Sequence, residues 1–184
     1  GCYEGATLQQ KIRASVESGE QTGSSSAPPS TDRIKSLQEI IDIAIQIAQG
    51  LVSAHAKGIF HRDIKPANII ITKSGVVKIL DFGLAKLAHH SGITKTGSTP
   101  GTVAYMSPEQ TRGEEIDQRA DLWALGVVLY EMVAGRLPFK GECDAAILYA
   151  IVNLQPEPVQ KFHPDVPAQL AGVIERALQK DPRD

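Results

Sequence analysis

The sequence has few cysteines, and their placement argues against cysteine-based chemistry. Only Cys2 and Cys143 occur among the 184 residues, and they show neither metal-ligand nor redox-motif spacing. Nothing about them requires a disulfide, so a reducing compartment such as the cytoplasm fits the chain.

Long apolar runs and a strong charge of one sign are also missing. The longest apolar run, Leu122–Gly135, contains Glu131 and is too short to span a bilayer, so we expect no membrane contact. A formal charge of −2 argues against a nucleic-acid partner. The chain has no signal peptide and no initiator Met, so we expect it to be a fragment. It shows no internal repeat. Its length and 42% hydrophobic content fit one soluble domain or one large lobe.

Helical patterns account for most of the chain. Apolar residues recur every three or four positions in residues 5–17, where Thr7 is a plausible N-cap, and again in residues 36–56. Ala120–Ala134 is apolar nearly all round, which predicts a buried helix. Two further amphipathic helices are predicted at Asp144–Val152 and Pro167–Leu178.

Two segments lack such periodicity. Residues 18–33 are rich in Gly, Ser and Pro without a large apolar side chain, which predicts a flexible linker. Residues 84–105 are rich in Gly, Thr, Ser and His. A structureless run of this length inside a domain is typically functional or disordered.

One stretch, His61 to Gly83, combines two polar loops with a predicted β-hairpin. Ile69–Thr72 and Val76–Leu80 are β-branched runs around a Ser-Gly turn, which is typical of hairpins. Because a hairpin brings its ends together, we expect four polar side chains to share one patch. They are Asp63, Lys65, Asn68 and Asp81. Such a set can hold Mg²⁺ and the phosphates that it neutralises, which predicts a phosphoryl-transfer site.

The same stretch resembles the eukaryotic-type protein kinases. It contains His-Arg-Asp-x-Lys-x-x-Asn from His61 to Asn68 and Asp-Phe-Gly from Asp81, and Ser107-Pro108-Glu109 is close to that family's Ala-Pro-Glu. The resemblance implies a protein kinase-like fold, here the mainly α-helical C-lobe with a small β-hairpin carrying the catalytic and DFG loops. It also implies ATP with Mg²⁺ or Mn²⁺ as cofactors, and protein substrates.

The resemblance implies a role for each residue of the patch. Asp63 matches the catalytic Asp that accepts or orients the substrate hydroxyl proton, and Lys65 would touch the γ-phosphate of ATP. Asn68 and Asp81 match the metal ligands. Thr102 would position the substrate by bonding Asp63 and Lys65. Lys65 and Thr102 are typical of serine/threonine kinases rather than tyrosine kinases.

Residues 81–109 would then be the activation segment. Arg62 matches the Arg of kinases that are switched by phosphorylation of this segment, because an Arg can bind a phosphate through two hydrogen bonds. Thr94 and Thr96 match the autophosphorylation positions of bacterial receptor-type kinases, and Ser98 matches the more general family position. An Arg paired with a structural carboxylate is the alternative for Arg62.

Other matching residues are expected to be structural. His61 and Phe82 would stack in the hydrophobic spine that joins the two lobes of a kinase, although a catalytic-base role for His61 is a competing hypothesis. Glu109, Asp121 and Trp123 would belong to the scaffold. In the family, the residue matching Glu109 pairs with an Arg just past the last helix.

The resemblance covers only the large lobe. The sequence contains no Gly-rich nucleotide loop, no Val-Ala-x-Lys strand and no helix Glu to pair with that Lys. We therefore expect residues 1–184 to be a C-lobe fragment with the N-lobe absent, and to be inactive alone. The parent would be an active kinase in the cytoplasm, free or as the cytoplasmic domain of a membrane-anchored protein.

Two other functions would be compatible with a kinase-like fold. A pseudokinase or docking module would bind partners without chemistry, but it has no chemical need for Asp63, Lys65, Asn68 and Asp81 together. A small-molecule phosphotransferase would not need Thr102 or the loop through Glu109 that cradles a peptide. A kinase assay comparing peptides with small alcohols separates such a phosphotransferase from a protein kinase.

Overall fold

A small sheet packs against a group of helices in the part of the chain that the structure covers. The structure is a computed structural model, and it describes residues 5–20, 34, 36–82 and 102–181. The strands within these ranges are β1 (Gly5–Thr7), β2 (Ile69–Thr72) and β3 (Val77–Ile79). The helices are α1 (Leu8–Glu20), α2 (Leu37–His55), α3 (Pro108–Arg112), α4 (Arg119–Ala134), α5 (Asp144–Asn153) and α6 (Ala168–Ala177). Short 3₁₀ turns occupy Pro66–Asn68, Thr102–Tyr105 and Val159–Lys161.

The first strand was not predicted from the sequence. Gly5 pairs with Thr72, so β1 extends the predicted hairpin into a three-stranded antiparallel sheet of order β1-β2-β3. A Cβ on Gly5 would overlap the carbonyl oxygen of Ile71, so this close approach requires glycine. The predicted N-cap at Thr7 is confirmed, because its hydroxyl accepts from the Gln10 amide at 3.2 Å while the Gln10 side chain accepts from the Thr7 amide.

The first helix is longer than predicted. It continues through Glu20, so its last turn overlaps the start of the predicted linker at residues 18–33. Helix propagation costs little once a helix has nucleated, which explains why polar residues can extend it. The rest of that linker lies outside the described residues. Beyond it, the amide of Ile34 donates to the Ser15 hydroxyl at 2.9 Å, which places the chain beside α1 again.

The predicted hairpin is confirmed, with a shorter second strand. Ile69 pairs with Ile79, and Gly75 turns the chain with a φ of +79°. The side chain of Gln46 on α2 holds the outer edge of β3. Its amide nitrogen donates to Gly75 O at 3.2 Å, and its oxygen accepts from the Val77 amide at 3.0 Å. The hairpin is thereby fixed to α2.

The core is built around α4, as its all-round apolar sequence predicts. Val127 and Val128 are fully buried, and α4 packs against both α2 and α6. The loop between α2 and β2 is hydrogen-bonded to the N-terminal end of α4, so α4 supports the loop that carries the predicted polar patch. Across the described ranges, every helix is too short or too polar to cross a membrane.

The contact between α4 and α6 depends on a glycine. A Cβ at Gly126 would lie 2.6 Å from the Cβ of Ala177. We expect Gly126→Ala to lower the free energy of unfolding by about 1–3 kcal/mol through overpacking, as measured by urea denaturation. The control is Gly172→Ala on α6, where a Cβ meets no atom within 4 Å; there the better helix propensity of Ala should stabilise by up to about 1 kcal/mol. A similar gain for both variants would contradict this packing explanation.

Candidate active site

Three of the four predicted patch residues meet at the loop that follows α2. The Asp63 Oδ2 atom lies 2.8 Å from the Lys65 ammonium nitrogen and accepts a hydrogen bond from Asn68 Nδ2 at 3.0 Å. Asn68 Nδ2 also donates to the Asp63 carbonyl at 2.9 Å. The 3₁₀ turn at Pro66–Asn68 makes this convergence possible, because it folds Asn68 back over Asp63.

The Asp63 carboxylate has one oxygen left for a substrate. Oδ2 is held by Lys65 and Asn68, whereas Oδ1 has no hydrogen-bond partner among the described residues. The side chain is 36% exposed, so an outside hydroxyl can reach it. A fixed carboxylate with one open oxygen is suited to accept a proton from a hydroxyl group.

Asp81 emerges at the other end of the hairpin, beside this loop. The amide of Leu80 donates to Asn68 O at 2.8 Å, and the Leu80 carbonyl accepts from His61 Nε2 at 2.7 Å. The backbone just before Asp81 is therefore bonded to both ends of the His61–Asn68 loop. Asp81 is exposed and has a φ of +60°, a left-handed conformation that costs about 1–3 kcal/mol in residues other than glycine.

Both ring nitrogens of His61 bond to backbone groups, which argues against a role as catalytic base. Nε2 donates to Leu80 O, and Nδ1 accepts from the Asp63 amide at 3.2 Å. His61 is 1% exposed. The ring of Phe82 meets it edge-on at a centroid distance of 4.8 Å. This packing agrees with the structural role that the sequence predicts for the pair.

Asp121 on α4 holds the backbone of the His61–Asn68 loop. Its carboxylate accepts from the His61 amide at 2.9 Å, from the Arg62 amide at 2.7 Å and from His55 Nε2 at 2.8 Å. The side chain is 1% exposed. The sequence predicts only a scaffold role for Asp121, so this positioning role was not predicted. An Asp inside a helix that is apolar all round was the available signal, because a buried carboxylate requires hydrogen-bond donors.

Arg62 is held in an unusual backbone conformation. Its φ is +67°, in the left-handed region that residues with a Cβ seldom adopt. Its guanidinium carbon lies 5.9 Å from the centre of the Phe60 ring. Nε is buried and has no hydrogen-bond partner among the described residues. A buried, unbonded guanidinium nitrogen is costly unless an acceptor completes it.

The C-terminal part of the predicted activation segment is attached to α4 through Tyr105. Its hydroxyl donates to Glu131 Oε2 at 2.7 Å. Burial raises the pKa of Tyr105, and the nearby Glu131 carboxylate raises it further. Burial also raises the pKa of Glu131, against the opposing effects of the Tyr105 hydrogen bond and the positive charge of Arg13. Thr94, Thr96, Ser98 and the side chain of Thr102 lie outside the described residues.

Glu109, in the first turn of α3, lines a charged cleft. It is 7% exposed, and the cleft has a volume of about 550 Å³. Lys180 also lines it, donating to the Ile151 carbonyl at 2.6 Å and lying 3.9 Å above the Phe139 ring. Burial lowers the pKa of Lys180 to about 8, and Arg112 adds to the effect.

The comparison with known families agrees with this geometry. The model of the protein kinase domain matches residues 17–184. The chain belongs to the protein kinase family.

Relatives of the chain include serine/threonine kinases of bacteria. The serine/threonine-protein kinase PknB of Mycolicibacterium smegmatis is 44% identical over 144 residues, which cover 77% of this chain and 23% of the relative. PknB of Mycobacterium tuberculosis is 40% identical over 146 residues, covering 78% of this chain and 23% of the relative. The chain thus spans about a quarter of the length of these kinases.

The donor groups of this kinase patch fit a magnesium ion. Asn68 uses its nitrogen for Asp63, which leaves its carbonyl oxygen without a bond to any described residue, and Asp81 offers an exposed carboxylate. Mg²⁺ commonly takes one or two protein oxygens and completes its shell with phosphates and water. Among the described residues no cluster of three or more His, Cys, Asp or Glu could hold a metal alone, so phosphate oxygens would have to contribute.

Proposed function

We propose that the chain is the catalytic large lobe of a serine/threonine protein kinase that transfers the γ-phosphate of ATP to protein hydroxyls. The observation that supports this most directly is the Asp63 carboxylate. One of its oxygens is held by Lys65 and Asn68, and the other is open towards solvent. This arrangement presents a fixed base at the end of a loop whose backbone is itself held by Asp121.

Asp63 orients the attacking hydroxyl and accepts its proton. The hydroxyl oxygen forms a bond to the γ-phosphorus while the bond to the β–γ bridging oxygen breaks, and the products are the phosphoprotein and ADP. Most of the catalysis is positioning and charge neutralisation. Lys65 therefore has two tasks: it fixes Asp63 through the 2.8 Å contact, and it compensates negative charge on the transferred group.

Asn68 and Asp81 are the residues that would hold Mg²⁺ or Mn²⁺. When bound, the ion neutralises charge on the ATP phosphates and helps to align them. The structure ties the backbone of these two residues together through the Leu80 amide and the Asn68 carbonyl. This hydrogen bond holds the residue before Asp81 beside Asn68.

Phosphorylation of the activation segment would regulate the enzyme through Arg62. The buried Nε of Arg62 needs an acceptor, and a phosphate supplies several oxygens in the geometry that a guanidinium binds best. Thr94, Thr96 and Ser98 are the proposed phosphate acceptors. Thr102 is the proposed substrate-positioning residue, and residues 81–109 are the proposed activation segment.

A complete nucleotide site requires a small lobe. The sequence of 184 residues contains no Gly-rich phosphate-loop motif and no Val-Ala-x-Lys motif for the α- and β-phosphates. We propose that residues 1–184 are the C-lobe, that the N-lobe of the parent chain is their partner, and that the lobe alone has negligible activity. ATP and protein substrates are the other partners. Because ATP is the phosphate donor, the kinase would act in the cytoplasm, free or as part of a membrane-anchored parent.

A direct test compares the 184-residue chain with a two-lobe kinase in which the parent's N-lobe precedes it. Both are supplied with Mg²⁺ and ATP that is radiolabelled in the γ-phosphate, together with casein as a protein substrate and ethanolamine as a small alcohol. We expect labelled serine and threonine in casein from the two-lobe kinase alone, and lower activity after phosphatase treatment. No transfer by the two-lobe kinase would favour a pseudokinase, and labelled ethanolamine would favour a small-molecule phosphotransferase. Transfer by the isolated chain would show that the small lobe is dispensable.

A further inference from the structure

A single side chain connects the start of α3 to the His61–Asn68 loop. The Oε1 atom of Gln110 accepts from the Ser107 amide at 2.9 Å, within the capping box of α3. Its Nε2 atom donates to the carbonyl oxygen of Arg62 at 2.9 Å. The two ends of one carboxamide thus bind two segments that lie far apart in the sequence.

The hydrogen bond from Gln110 is made to the carbonyl of Arg62, the residue with a strained backbone that precedes Asp63. Arg62 has a φ of +67°, and its amide donates to Asp121 Oδ1 at 2.7 Å. Asp121 therefore fixes Arg62 at its amide, and Gln110 fixes it at its carbonyl. That carbonyl belongs to the peptide unit that Arg62 shares with Asp63, so its orientation sets the direction in which the Asp63 backbone continues.

We propose that Gln110 is a positioning residue for Asp63, which links the end of the activation segment to the catalytic loop. The inference rests on the proposed kinase function, because it gives Asp63 the role of base. Ser107 is fully buried, and it caps the start of α3 two residues after Tyr105. The Gln110 side-chain amide reaches Arg62 only when α3 has formed in this position. The end of the activation segment is therefore ordered whenever Asp63 is aligned by this bond.

Helix capping by itself does not require glutamine at this position. A Glu side chain serves equally well as the third residue of a capping box. Glutamine differs from ionised glutamate in its Nε2 donor, and that donor is the group that contacts Arg62. The substitution Gln110→Glu therefore keeps the acceptor for Ser107 and removes the donor for Arg62.

The test measures steady-state kinetics and thermal unfolding of the two-lobe kinase. For Gln110→Glu we expect kcat to fall about five- to tenfold, as is typical for loss of one hydrogen bond. KM for ATP and for the protein substrate should stay within about twofold, because the groups that bind them are unchanged. Gln110→Met removes both bonds without adding a charge, and it should show the same loss of kcat together with a lower Tm. The control Gln169→Glu makes the same chemical change at an exposed site on α6 and should leave kcat unchanged.

The inference would be overturned if both Gln110 variants had the kcat of the wild type. If such variants also had a lower Tm, Gln110 would act in helix capping only. Amide hydrogen exchange at Arg62 and Asp63 provides a second measurement that does not depend on activity. We expect exchange there to accelerate about tenfold in both variants if the loop loses its anchor. If the wild-type two-lobe kinase transfers no phosphate, the proposed function fails, and the exchange rates still decide whether Gln110 holds the loop.

Discussion

Replacing Asp63 by Asn in the two-lobe kinase is expected to lower kcat by about 10²–10⁴-fold, the usual contribution of a positioned acid or base. Asn has nearly the same shape, and its carbonyl oxygen can still accept from Lys65 and Asn68, which lie 2.8 Å and 3.0 Å from Asp63 Oδ2. The other side of the group becomes an N–H₂ donor, which cannot take a proton from the substrate hydroxyl. The loss corresponds to about 3–5 kcal/mol of transition-state stabilisation.

The measurement is the rate of phosphate transfer to protein at saturating ATP and Mg²⁺. The nucleotide is bound by other groups in the proposed mechanism, so the affinity for ATP should change little. Asp165→Asn is the matched control, because it makes the same substitution in an exposed loop and should retain full activity. If Asp63→Asn kept more than a tenth of the wild-type kcat, Asp63 could not be the catalytic base.

The main elements were predictable because their signals are local. α2 was predicted at residues 36–56 from the spacing of its apolar residues, and it spans Leu37–His55. α4 was predicted from a run that is apolar all round, and it forms the buried centre of the lobe. The ends of the hairpin meet as expected because antiparallel pairing brings them together, and the Leu80 amide bonds to Asn68 O.

The features that were missed depend on partners that are distant in the sequence. β1 has three residues, too few to show an alternating pattern, and it exists because β2 offers it an edge. Asp121 contacts residues about 60 positions earlier in the chain, and Gln110 contacts Arg62 across 48 positions. Such hydrogen bonds leave no periodic signal, so a sequence can show that a polar residue is buried but not which backbone groups it holds.

Replacing Asp121 by Asn is expected to damage both stability and catalysis. Both carboxylate oxygens of Asp121 accept bonds from the His61–Asn68 loop, one from the His61 amide and the other from the Arg62 amide. An Asn side chain has only one acceptor oxygen, so its N–H₂ group must face at least one of these two amide donors. An unsatisfied buried donor, together with the lost charge beside His55, should lower the free energy of unfolding by about 3 kcal/mol.

The same change should lower kcat by about ten- to a hundredfold. The left-handed conformation of Arg62 costs about 1–3 kcal/mol, and it persists because Asp121 holds the amide of that residue at 2.7 Å. Without this bond the relaxed loop becomes more populated than the strained loop, by about ten- to a hundredfold. Only the strained loop places the Asp63 carboxylate for catalysis.

A helix-dipole effect is the simplest competing explanation, because Asp121 lies in the first turn of α4. Acidic residues at that position stabilise helices by about 0.3–1 kcal/mol. Asp144 occupies the first turn of α5 and is exposed, so Asp144→Asn measures the dipole effect without touching the loop. Urea denaturation and kcat are measured for both variants. Equal, small losses would mean that Asp121 acts through the dipole, whereas a large loss confined to Asp121→Asn would mean that α4 holds the catalytic loop in its strained form.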